Sequence, residues 1–83
     1  MITPVERYVL RMSDKELKQT TKELLQFHQE GFLKEGFFRE SLRWMKNCEC
    51  YQNMLTSERM PILEKVVFQE VASRWIAQQE NSQ

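Results

Sequence analysis

The chain has 83 residues, and its twelve Lys and Arg are balanced by twelve Asp and Glu. That length holds one domain, and a formal charge of zero argues against a protein built to grip nucleic acid or an anionic membrane by its overall charge. A composition of 41% apolar and 29% charged residues is globular rather than disordered, and two Gly with two Pro are too few tight-turn residues for a sandwich or barrel.

The expected fold is therefore all-α: one domain over residues 1–83, a small bundle of four helices with a short first helix and antiparallel second and third helices. Thr3-Pro4-Val5-Glu6 is a helix start, with Thr3 as cap, Pro4 at the first helical position and Glu6 closing a capping box. Val5, Tyr8, Val9 and Met12 follow as one apolar stripe. Ser13-Asp14-Lys15-Glu16 is a second capping box, so the first helix is short and the chain re-aims at Ser13. The second helix is expected from Asp14 to about Glu30, with Leu17, Thr21, Leu24, Leu25 and His28 on one side and Lys15, Lys18 and Lys22 on the other. Gly31 and Gly36 are both stop signals, and the segment between them reads equally as loop or as a last turn.

A third helix is expected from Phe37 to about Leu55. Phe37, Trp44, Cys48, Tyr51 and Leu55 fall on one line, and Phe38, Leu42 and Met45 on the next. Its exit at Thr56-Ser57 leaves two starts for the fourth helix, a Ser57 cap or Met60-Pro61, with Pro61 to about Gln78 as the expected extent. In that helix Ile62, Leu63, Val66 and Val67 point one way, while Phe68, Val71, Ala72, Trp75 and Ile76 point roughly the other. The apolar stripe changes sides, which a single core does not require. Residues 78–83 read as a frayed polar tail. The predicted core is Val5, Val9, Met12, Leu17, Leu24, Leu25, Phe38, Leu42, Met45, Cys48, Leu63, Val67 and Val71.

The segment from Gly36 to Cys48 is similar to the middle of one tetratricopeptide repeat, with Gly36, Phe38, Ser41, Met45 and Cys48 at the turn, aromatic and small-residue places. The resemblance covers about a sixth of the chain and has no second copy, whereas a solenoid needs about three repeats. It implies only that the second and third helices form an antiparallel hairpin, and no family is assigned from it.

For chemistry the sequence offers little. His28, the one histidine, lies on the apolar side of its helix and reads as structural. Cys48 and Cys50 point about 200° apart on a helix, which suits neither a disulfide nor a shared zinc ion. Cys48 reads as a small core residue and Cys50 as a surface thiol, with no metal and no cofactor expected. No Gly-rich phosphate loop and no nucleophile elbow occur. The opening residues show no secretory signal and no apolar run reaches bilayer length, so the expectation is a cytoplasmic protein without a membrane partner.

Two surface readings are left. The first is a non-enzymatic regulator, adaptor or inhibitor that binds protein through an exposed apolar and aromatic face and self-associates as a homodimer, with Trp44, Tyr51, Phe68, Trp75 and Ile76 as contact residues. The alternative is a small dimeric transcription regulator that holds nucleic acid through a basic ridge of Arg39, Arg43 and Lys46. A three-residue ridge on a neutral chain makes this the less favoured of the two.

Overall fold

A computed structural model describes residues 2–81. Four helices follow in order, α1 (Pro4–Leu10), α2 (Asp14–Glu30), α3 (Phe37–Lys46) and α4 (Thr56–Asn81). No strand occurs among the described residues, so the chain folds as the small all-α bundle its composition implies.

Both N-terminal capping boxes form. The Glu6 N–H donates to the Thr3 hydroxyl at 3.4 Å while the Thr3 N–H donates to the Glu6 carboxylate at 3.2 Å, and Ser13 and Glu16 repeat the pattern at 3.1 and 3.0 Å. Each box satisfies two backbone donors that a helix start leaves without partners, so α1 is seven residues long and α2 begins at Asp14. Gly31 ends α2 in the left-handed conformation, with φ at 82°, as a glycine past the last helical turn does. Gly36 is no second stop: it is the N-cap of α3.

The third helix is shorter than its apolar pattern suggests. It ends at Lys46, and the chain then runs through turns to Met54. The reason lies in α4. Arg59, 6% exposed, reaches back and donates to the carbonyls of Met54 at 2.6 Å and Tyr51 at 3.5 Å. The Tyr51 hydroxyl in turn accepts from the Val5 N–H of α1 at 3.4 Å. These contacts give residues 47–55 a tertiary role that a continued helix would not provide. The fourth helix starts earlier than expected, at Thr56, and neither Ser57 nor Met60-Pro61 begins it. The Leu55 N–H donates to the Glu58 carboxylate at 2.8 Å and Arg59 donates to the Thr56 hydroxyl at 3.0 Å, so the first turn is held from both sides. Pro61 lies inside the helix and forfeits one N–H bond there. Residues 78–81, expected to fray, continue α4, while Ser82 and Gln83 lie outside the described residues.

Phe38, Leu24, Met45, Leu63, Val5, Val9 and Val67 are fully buried and join all four helices in one core. Asp14 pairs with Arg74 at 2.9 Å and His28 with Glu64 at 3.1 Å, so α2 and α4 lie side by side in opposite directions. Leu25, predicted to be in the core, is 50% exposed. The face that α2 buries is rotated toward Thr20 and Glu23, because both polar side chains find partners inside. The Thr20 hydroxyl donates to the Glu16 carbonyl at 2.8 Å, and the Glu23 carboxylate accepts from the Phe38 N–H at 3.0 Å and from Gln19 at 3.0 Å. Met12, Cys48 and Val71 pack against the core only partly buried.

Candidate interaction surface

The side change in the apolar stripe of α4 is visible in its burial. Leu63, Val66 and Val67 are buried, and Val71 packs against them half-buried. Beyond Val71 every described residue of the helix except Arg74 is exposed. At about 100° per residue, Phe68, Ala72 and Ile76 lie within about 80° of one another and roughly opposite Leu63 and Val67. The helix therefore presents an apolar ridge to solvent on the side away from its own core. Phe68 is 41% exposed, Ile76 50% and Trp75, at the margin of the ridge, 60%. Lys65 precedes this ridge and Glu80 follows it, both exposed.

Trp75 also borders an open groove of about 480 Å³ between α2 and α4, with Leu17, Thr21, Leu25 and Val71 along it and Lys18 and Lys22 on its rim. The groove exists because α2 turns its Thr20–Glu23 side to the core and leaves Leu25 at the edge.

The remaining residues expected at a contact are used within the chain. Tyr51 is 7% exposed and bonded to α1, and Trp44 is half-buried, stacked on Tyr8 with ring centroids 4.5 Å apart. Tyr51 is thus a core residue rather than a surface anchor, for the physical reason that the turns after α3 fold it back beneath α1. The candidate face narrows to Phe68, Trp75 and Ile76, with Ala72 between them as the member a search for large side chains passes over.

Two of the three cations of the basic ridge share one carboxylate. Arg43 pairs with Glu35 at 2.5 Å and Arg39 with the same carboxylate at 3.4 Å. The Arg43 hydrogen bond holds the Glu35 carboxyl below the usual carboxylate range. Only Lys46 of the three is without an ion pair among the described residues. Phosphate contacts from Arg39 and Arg43 would compete with Glu35, whereas one from Lys46 would not.

His28 is surface-exposed rather than partly buried, and it faces Glu64 of α4, not a cysteine. Cys48 is half-buried and Cys50 exposed, both as free thiols. Among the described residues no group of three His, Cys, Asp or Glu is placed to hold a metal ion, and no helix is long and apolar enough to cross a membrane. Comparison of the chain with protein-family models, with curated proteins and with solved structures gives no match.

Proposed function

We propose that this chain is a small helical binding protein, a regulator, adaptor or inhibitor without catalytic activity, that acts through the outward face of α4 and associates with itself through it. The observation that carries this reading is the cluster of Phe68, Trp75 and Ile76, all more than two-fifths exposed, on the side of α4 turned away from its buried residues. Aromatic and large aliphatic residues gathered on one face mark interaction sites. The shape of the molecule supports it. The chain exposes 6018 Å², where a folded monomer of its 10.1 kDa mass exposes about 5,300 Å².

The test is affinity capture from the native host with wild type and with a Phe68→Glu, Ile76→Glu variant, each with and without nuclease. Proteins held by wild type, unaffected by nuclease and lost from the variant, bear out the reading. Capture that nuclease abolishes, or that Arg39→Ala, Arg43→Ala, Lys46→Ala abolishes while the α4 variant keeps it, overturns it in favour of nucleic-acid binding.

A further inference from the structure

We infer that the outward face of α4 packs against the same face of a second copy, antiparallel, about a two-fold axis at Ala72; this rests on the reading that the face binds protein. An isologous contact has to be self-complementary: whatever one residue meets, it must also be met by. The ridge has that property in its spacing. Phe68 stands one turn before Ala72 and Ile76 one turn after, so the two-fold sets Phe68 against the partner's Ile76 and, by symmetry, Ile76 against the partner's Phe68. Trp75, next to Ile76, then flanks the same ring. At the axis itself stands the smallest side chain of the ridge, Ala72, which lets two backbones approach closely enough for the larger flanking residues to meet.

The charges follow the same symmetry. Lys65 lies two turns before Ala72 and Glu80 just over two turns after it. Both are exposed; Lys65 lies near Glu6 of α1 and helps to hold that carboxyl below the usual range without a contact within 4 Å, and Glu80 forms no ion pair among the described residues. They are on the order of 22 Å apart along one helix and cannot meet within a chain. In the antiparallel pair the two positions fall at nearly the same height along the axis, so each Lys65 faces the partner's Glu80 at both ends of the contact. A parallel pair would instead stack like charges. The net charge of zero adds no repulsion between copies.

Sedimentation at tens of micromolar protein is the test. Wild type should sediment at about twice 10.1 kDa. Ile76→Glu should be monomeric with an unchanged helical circular dichroism spectrum. Lys65→Glu and Glu80→Lys should each weaken association by about tenfold, and the two together should restore it. If Ile76→Glu does not fold, Ala72→Cys in a chain with Cys48 and Cys50 replaced by Ala gives the same information. Oxidation should join two copies through Cys at the axis, and Gln29→Cys in the same background should not. A monomeric wild type, a dimer indifferent to Ile76→Glu, a double charge swap no tighter than either single one, or no covalent dimer from Ala72→Cys each overturns the pairing. A monomer that still captures a host protein through Ile76 overturns the two-fold alone and leaves the binding reading standing.

Discussion

Glu23 shows how one polar residue sets the relation between two helices. The residue is 9% exposed, and its carboxylate accepts from the Phe38 N–H and lies against Gly36, where a Cβ would collide with it. A negative charge at a helix start is favourable, because it meets unpaired N–H groups and the positive end of the helix dipole. Gly36→Ala should therefore push the carboxylate off the Phe38 N–H and lower stability by about 2 kcal/mol. Glu23→Ala should cost about 1–2 kcal/mol through the lost cap. In the Glu23→Ala background the added methyl of Gly36→Ala no longer meets the carboxylate and only its backbone strain at φ 158° is left, so the two losses should be less than additive in urea denaturation. Strictly additive losses would mean that the two residues do not share this contact. None of this is legible from apolar periodicity, which assigns Glu23 no place and puts Leu25 in the core.

At the scale of elements, Arg74 fastens three helices together. From α4 its guanidinium donates to Glu70 at 2.7 Å, to Asp14 at the start of α2 at 2.9 Å, and to the carbonyls of Met12 at 2.7 Å and Leu10 at 3.3 Å. The last two are carbonyls at and just past the end of α1, which its own short length leaves without partners. Only a planar fork with several donors reaches all four acceptors; a lysine ammonium offers a single point. Arg74→Met should cost about 2–3 kcal/mol, since Glu70 is left half-buried and unpaired, and Arg74→Lys should recover only a minor part of it in the same denaturation measurement. Recovery to wild-type stability by lysine would show that charge alone, not the forked geometry, holds the junction. The same helix carries the outward ridge, so α4 closes the core with one side and exposes apolar side chains on the other.

The whole molecule is a slab, 45 × 34 × 17 Å in its Cα extents. A flat arrangement of four helices has little interior, so much of its local order rests on surface caps. Two such caps and one ion pair hold surface carboxyls below the usual range: Glu6 by hydrogen bonds from the Thr3 side chain and backbone, Glu16 by those from the Ser13 backbone and side chain, and Glu35 by Arg43. A carboxyl whose folded-state pKa is lowered binds protons less readily in the folded chain than in the unfolded one. Its contribution is then fully present above the unfolded value and is lost as pH falls through the folded one. The melting temperature should consequently be level near neutrality and fall as pH drops below the ordinary carboxylate range. Glu6→Gln, Glu16→Gln and Glu35→Gln together should flatten that fall in a pH series of thermal melts. An undiminished fall in the triple variant would place the acid sensitivity elsewhere.

The amino-acid sequence by itself determined the class, the starts of α1, α2 and α3, and the divided character of α4. Capping boxes are local: Thr3 with Glu6 and Ser13 with Glu16 need no distant partner, and both formed where the spacing placed them. The outward ridge was legible for the same reason, since a 3.6-residue period puts Phe68 and Ile76 opposite Leu63 and Val67 whatever packs around them. The tertiary structure alone decided where α3 stops, which side of α2 is buried, and whether Tyr51 is surface or core. Those outcomes turn on side-chain contacts made between separate elements: Arg59 of α4 with the carbonyls of Tyr51 and Met54 in the preceding turns, Glu23 with the Phe38 N–H, and the Tyr51 hydroxyl with the Val5 N–H. Each satisfies a polar group in the interior, and periodicity records where apolar side chains recur but not which buried polar groups will find each other.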